Sequence, residues 1–230
     1  MIFTQVKAIA LIPLDPRLLK EVGDLKSEKG NTKGNISYSK PMPQRRTPLQ
    51  TGNFYHVYNR GNNRSSIFFE HENYIYFLRL VREHLITNAV DIVAYCLMPN
   101  HYHFLVYLRD ETLSDAMKSL SLSYTKAINK RFNRSGVLFQ GRFQSIHIPQ
   151  TDYLVNLARY IHLNPVKAGL VQQPGEWEFS SYLEYAGLRG GTLPKTEYIK
   201  TQIEESAYQQ FLADYNLPDS TGFKKLLLDG

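Results

Sequence analysis

With 230 residues, the sequence suffices for one generous domain, or one domain with extensions. A 43 % apolar and 21 % charged composition excludes wholesale disorder, and no run approaches the 18 apolar residues of a membrane-spanning helix. Cys96, the only cysteine, excludes a disulfide framework and a multi-cysteine metal site, so a reducing cytoplasmic setting is expected. The opening Met1–Ile12 stretch, with Lys7 and a short apolar run, is too brief and poorly flanked to read as a signal peptide. What stands out is a net charge of +6 combined with 16 Tyr, 12 Phe and 1 Trp. Positive charge with stacking side chains suits a nucleic-acid partner, although a basic enzyme has the same composition.

In chain order, residues 1–50 read as a basic N-terminal extension or linker, with three glycines and Pro41, Pro43 and Pro48 gathered in 22–50. Phe54 to Tyr58 alternate as a first strand, and Asn59–Arg64 is a polar turn-forming loop. Asn73, Phe77, Leu80, Val81, His84 and Leu85 recur at helical spacing, which predicts a helix over about 70–88. Ile92–Met98 and His101–Leu108 read as strands of a hairpin turned at Pro99-Asn100. Thr112 with Asp115 opens a helix whose stripe of Leu113, Met117, Leu120, Tyr124 and Ile128 runs to about Phe132. Val137–Ile148 is mostly extended, Thr151 caps a further helix, and Asn164-Pro165 is expected to stop it. A last helix is expected over Ile203–Tyr215, within a C-terminal extension at 191–230. The order β-α-β-β-α-β-α points to an α+β fold, an antiparallel ferredoxin-like or RRM-like sheet with helices on one face.

Charge is unevenly placed. Ala116–Thr151 contains no Asp or Glu but holds Lys118, Lys126, Lys130, Arg131, Arg134 and Arg142. A solvated helix face commonly carries such charge, but it usually alternates in sign. A polyanion would relieve the repulsion through phosphate contacts.

Two short patterns carry chemistry. In His101-Tyr102-His103 the side chains alternate across a strand, so both imidazoles project to one face, where they can share a metal ion. An H-x-H strand taken alone is more often surface or core histidine. In Tyr160-Ile161-His162-Leu163-Asn164, Tyr160 and Asn164 share a helix face at i, i+4, while His162 points elsewhere. Spacing by itself does not separate Tyr160 from fifteen other tyrosines, whose ordinary role is packing.

Three motifs taken together go further. Met98-Pro99-Asn100-His101-Tyr102-His103-Phe104-Leu105-Val106, then Gly136 to Phe143 (with Leu138-Phe139-Gln140-Gly141-Arg142), then Ala158 to Val171 resemble the single-tyrosine HUH transposases, and within them the REP-associated tyrosine transposase branch. Trp177–Tyr182 is a weaker fourth match. The likeness runs from about Gly52 to Gly187, and the catalytic domain is expected over 51–190. Residues 1–50 and 191–230 carry no family motif.

The resemblance implies a ferredoxin-like fold of the HUH endonuclease type and a metal-dependent single-stranded DNA endonuclease and strand transferase. His101 and His103 would be metal ligands, with Tyr102 a mild variant of the bulky hydrophobe usual between them. Tyr160 would be the nucleophile, and Asn164 the third ligand, a position held by Gln in some branches. Nitrogen and carboxamide-oxygen donors suit Mg²⁺ or Mn²⁺. Arg60 and Arg64 of the turn, with Lys126, Lys130, Arg131, Arg134 and Arg142, would hold the DNA. The implied substrate is single-stranded DNA beside a hairpin, with a nucleoid-associated location and no membrane partner. Relatives include monomers and dimers with shared active sites, so a homodimer stays open. A chain that keeps the fold and binds structured nucleic acid without cutting is the alternative.

Overall fold

The computed structural model describes residues 48–149, 151–201, 203, 208 and 210. The extension expected over 1–50 therefore falls almost wholly outside the described residues, as does most of the helix expected over Ile203–Tyr215.

The strands form where apolar and β-branched residues alternate or run together. They are β1 (Phe54–Arg60), β2 (Val90–Met98), β3 (His101–Leu108) and β4 (Gln144–Ile148), in the spatial order β2-β3-β1-β4, every neighbouring pair antiparallel. The principal helices are α1 (His71–Leu80), continued by a π-helical turn at Val81–Ile86, α2 (Leu113–Arg131) and α3 (Thr151–Lys167). Two one-turn helices follow, α4 (Tyr182–Tyr185) and α5 (Glu197–Lys200). The predicted α+β sheet and element order are present, but only Gln144–Ile148 of the predicted extended stretch joins the sheet.

Alternation divides each strand between two cores. Tyr55 and Val57 of β1, and Tyr102, Phe104, Val106 and Leu108 of β3, join Phe77 of α1 and Leu120 and Tyr124 of α2. Ala94, Cys96 and Met98 of β2 and Leu105 of β3 face the other way, against Leu154, Leu157 and Ile161 of α3. The expectation of helices on one face thus holds for α1 and α2, whereas α3 covers the opposite face. The reason lies in β2 and β3, which are apolar on both sides: an exposed second face would leave Cys96, Met98 and Leu105 in water. A register shift between Ile92 and Ala94 turns both Val93 and Ala94 toward α3, then returns Tyr95 and Leu97 to the first core.

The edge of β2 is covered by the chain after α3. Leu97 N donates to Phe179 O, Ser181 N to Tyr95 O and Lys195 N to Ile92 O. That cover satisfies backbone groups that would otherwise template association.

Helix α3 also corrects a second expectation. It does not stop at Asn164-Pro165 but continues to Lys167, with Pro165 inside its last turn. Proline removes one backbone donor, yet the end of the helix is closed by Ala168 N donating to Asn164 O and Leu170 N to Pro165 O, with Gly169 at φ 68°. Among the described residues, no helix is long and apolar enough to cross a membrane.

Candidate active site

The α3-facing side of β1 and β3 departs from the apolar pattern at one end. His101 and His103 project there as strand alternation requires, their rings 4.9 Å apart and perpendicular. His56 of β1 joins them: its Nε2 lies 2.9 Å from His103 Nδ1 in a hydrogen bond, with the two rings stacked at 5.1 Å. His56 and His103 are fully buried. Nε2 of His103 is buried as well and has no hydrogen-bond partner among the described residues. Burial, then the neighbouring His56 and His101, hold the His103 imidazole well below its ordinary pKa, so it stays neutral, the form that ligates metals.

Tyr160 enters from α3. Its buried ring meets His103 edge-on at 5.7 Å and His56 at 6.5 Å. The Lys167 ammonium lies 5.0 Å from the same ring centroid, so a positive charge sits over the phenol face. One turn along, Asn164 is buried and its Nδ2 donates to the Tyr160 carbonyl at 2.8 Å, which leaves the carboxamide oxygen as the acceptor end. The structure therefore brings together Tyr160, His101 and His103, which lie 57 to 59 positions apart in the chain. It fixes Asn164 to its own helix backbone, with no hydrogen bond to the histidines. His162 points away from this group, with Tyr208 Oη at 2.7 Å from Nδ1 and Ser181 Oγ at 2.7 Å from Nε2.

The donor chemistry suits a divalent ion. Two imidazoles on one strand face, one of them (His103) held neutral with a buried Nε2 that has no partner among the described residues, are able to ligate, and a carboxamide oxygen stands on the facing helix. Among the described residues there is no group of three or more His, Cys, Asp or Glu side chains arranged for a metal, so any ion held here needs Asn164 or outside ligands.

The loop from Gly61 to Phe68 is clamped to the β2–β3 turn at the same end of the sheet. Gly61 N donates to Asn100 O, while Ile67 N and Phe68 N both donate to Pro99 O. A Cβ at Gly61 would fall 1.9 Å from Ser65 O, so only glycine fits. Asn100 Nδ2 donates to Arg64 O at 3.1 Å, and Asn100 Oδ1 lies 2.6 Å from His101 Nδ1. Arg64 and Asn63 are both in the left-handed region, at φ 57° and 52°.

The seven basic residues singled out from sequence fall into two sets. Arg60 pairs in register with His101 and donates from Nε to Gln140 Oε1, while exposed Arg64 and Arg142 flank the same end of the sheet. Lys126, Lys130 and Arg131 lie on α2, on the far side of the sheet from the histidines. Arg131 is ion-paired with Glu70, so the acid missing from its own stretch comes from the start of α1. Arg134 stands 5.1 Å over the Phe69 ring.

Sequence reasoning missed His56, Asn100 and Lys167 as members of the site. His56 had the strand parity of a face residue. Its partnership with His103 depends on the β1–β3 register, which local periodicity does not reveal. Asn100 read only as a turn residue.

Known proteins bear out the resemblance. The family described as transposase IS200-like matches residues 50–164, half of the chain. A protein of Haemophilus influenzae named as a REP-associated tyrosine transposase is 31 % identical over 103 residues, 40 % of this chain and 58 % of that protein. The chain thus spans little more than half the length of that curated relative. A solved REP-associated tyrosine transposase bound to a REP hairpin superposes with a TM-score of 0.53 at 22 % identity, covering 67 % of this chain and 94 % of that one. On a family match that takes in both strand histidines and Tyr160, this chain is a member of the IS200-like transposase family.

Proposed function

We propose that this transposase cuts single-stranded DNA next to a hairpin through a covalent 5′-phosphotyrosine at Tyr160 and rejoins it by strand transfer. The observation that carries the reading is the convergence of Tyr160 with His103 and His56 on one buried site, from a helix and two strands far apart in sequence. The hairpin enters by analogy with the related transposase whose solved structure holds one.

A divalent ion, Mg²⁺ or Mn²⁺, held by His101, His103 and the Asn164 carboxamide oxygen would neutralise and polarise a phosphate oxygen. The protein does the rest. Tyr160 Oη attacks phosphorus, a new P–O(Tyr160) bond forms, and the bond to the 3′ oxygen breaks. The phenolic proton leaves the tyrosine and the freed strand end takes one up as a 3′-hydroxyl. Positive charge from Lys167 over the Tyr160 ring favours the phenolate on the way. Because the phosphodiester energy stays in the phosphotyrosine, another 3′-hydroxyl can attack it and release Tyr160 with no external energy source. Arg60, Arg64 and Arg142 would hold phosphates beside the site, and the α2 lysines a second stretch of backbone across the molecule.

A labelled single-stranded oligonucleotide extending from a hairpin tests this. Label transferred to the protein in the presence of Mg²⁺ or Mn²⁺, and lost in Tyr160→Phe with hairpin binding kept, is the expected result. A free 5′-phosphate with no adduct would make the chain a hydrolase with a water nucleophile. Hairpin binding without any cleavage would make it a binding protein.

A further inference from the structure

Both strand histidines offer one ring nitrogen to a neighbour. Nδ1 of His101 lies 2.6 Å from Asn100 Oδ1, and Nδ1 of His103 lies 2.9 Å from His56 Nε2. An amide oxygen can only accept, so His101 must carry its proton on Nδ1. His103 has two options, because His56 can either donate or accept. The buried Nε2 of His103 decides between them: with no acceptor within reach among the described residues, a proton there would be an unsatisfied buried donor. His103 is therefore best satisfied as the Nδ1–H tautomer donating to His56 Nε2, with its Nε2 lone pair facing the site.

We infer that His56 is a positioning residue that fixes the tautomer and ring orientation of His103, as Asn100 does for His101, so that both Nε2 lone pairs are prepared for one divalent ion. The inference rests on the metal reading proposed above and deepens it by naming the outer residues that build the site. Three features of His56 support it. The side chain is fully buried, so its ring is held by packing. It stacks on His103 at an interplanar angle of 20°, which restrains rotation of both rings. Its ring also meets the Tyr160 ring edge-on at 6.5 Å, a further contact that restrains it. Asn100 adds a link in the other direction: through its Nδ2 bond to Arg64 O, the orientation of His101 is tied to a loop placed to meet DNA.

Residues of this kind typically change metal affinity 10- to 100-fold when lost. The test uses Mn²⁺ alone, titrated into the full chain and followed by the electron paramagnetic resonance signal of the free ion. His56→Leu is expected to weaken binding about 10- to 100-fold. His56→Gln keeps an acceptor oxygen near the Nε2 position and is expected to stay close to the unaltered chain. A second readout needs no metal. The ¹⁵N shifts of the His103 ring, assigned by their loss in His103→Ala, are expected to show the Nδ1–H tautomer in the unaltered chain and to move toward Nε2–H in His56→Leu.

Unchanged Mn²⁺ affinity in His56→Leu would overturn the inference, as would a Gln variant that folds yet binds as poorly as the Leu variant, or a His103 protonated on Nε2 in the unaltered chain. If His56→Leu fails to fold, the Gln variant and the spectrum of the unaltered chain decide the matter. His103→Ala separates the two levels. If it too leaves Mn²⁺ affinity unchanged, the metal reading falls and the role of His56 falls with it. If it abolishes binding while His56→Leu does not, only the inference about His56 fails.

Discussion

The two faces of the sheet share the same strands but follow different rules. On the α1–α2 face, Tyr102 and Phe104 alternate with the histidines along β3 and meet Phe77 and Tyr124 in a cluster of tilted, stacked and edge-on rings. These rings are buried among apolar neighbours, and the tyrosine hydroxyl of α2 is satisfied by donating to Ile67 O at 2.7 Å. On the α3 face, His101 and His103, one position away from these rings, project toward Tyr160 of α3; His103 and Tyr160 are buried and His101 half-buried. The first face is built to exclude water. The second gathers three imidazoles and a phenol, and the buried His103 Nε2 has no hydrogen-bond partner among the described residues, as the Tyr102 hydroxyl on the first face also lacks one; such a group is costly for stability and, beside other donors, useful for binding. The chemistry proposed for this protein thus lies on one side of the sheet, while the other side is packed with aromatic rings.

That contrast can be broken from either side. The largest effect is expected from Tyr160→Phe and from His103→Ala, each abolishing the covalent adduct at any Mg²⁺ or Mn²⁺ concentration. Urea unfolding should show only a small stability change for Tyr160→Phe. Normal adduct yield from either variant would remove the chemical half of the comparison. On the other face, Phe77→Ala is expected to cost about 3–5 kcal/mol in the same unfolding assay, with adduct formation per folded molecule preserved. A loss below about 1 kcal/mol would show that the aromatic cluster is not the stabilising layer.

Gly61→Ala comes next. The added methyl group must displace the Ser65 carbonyl, so a stability loss of about 1–3 kcal/mol is expected, with weaker hairpin binding as the Arg64 loop shifts. A neutral Gly61→Ala by thermal melting would show that the loop adapts freely. His162, buried on the far side of α3 among Ser181, Tyr182, Tyr185 and Tyr208, has its pKa lowered by burial to about 3. The unfolded chain takes up that proton near pH 6.5, while the folded chain resists it until about pH 3. This contribution is therefore complete above about pH 6.5 and is lost progressively as pH falls toward 3. His162→Gln should flatten the acid limb of a stability-against-pH curve, and an unaltered limb would count against this assignment. The smallest effect belongs to Arg131→Gln. Its ion pair with Glu70 is largely exposed, so the smallest shift in melting temperature of the series, shrinking further with added salt, is expected.

Much of this was legible locally. Helical spacing marked α1 and α2, alternation marked β1 and β3, and the i, i+2 pair put His101 and His103 on one face before any coordinates. The motif resemblance singled out Tyr160 from sixteen tyrosines, and the family match spans the stretch that contains it. Other features were not local. The continuation of α3 past Pro165 depends on how the helix end is closed, and the second face of β2 and β3 depends on which helix arrives to cover it. Glu70 reaches Arg131 across 61 positions, so the acid-free stretch looked more isolated in sequence than it is in space.

By itself, then, the sequence determined the kind of fold, the family and the two chemical motifs, because periodicity, side-chain type and short spacings are properties of neighbouring residues. Tertiary structure alone decided that α3 crosses to the face opposite α1 and α2, that Tyr160 meets His103 there, and that His56 stands behind the pair. Those outcomes follow from the β1–β3 register and from the burial of a sheet that is apolar on both sides, and both are set by partners far away in the chain.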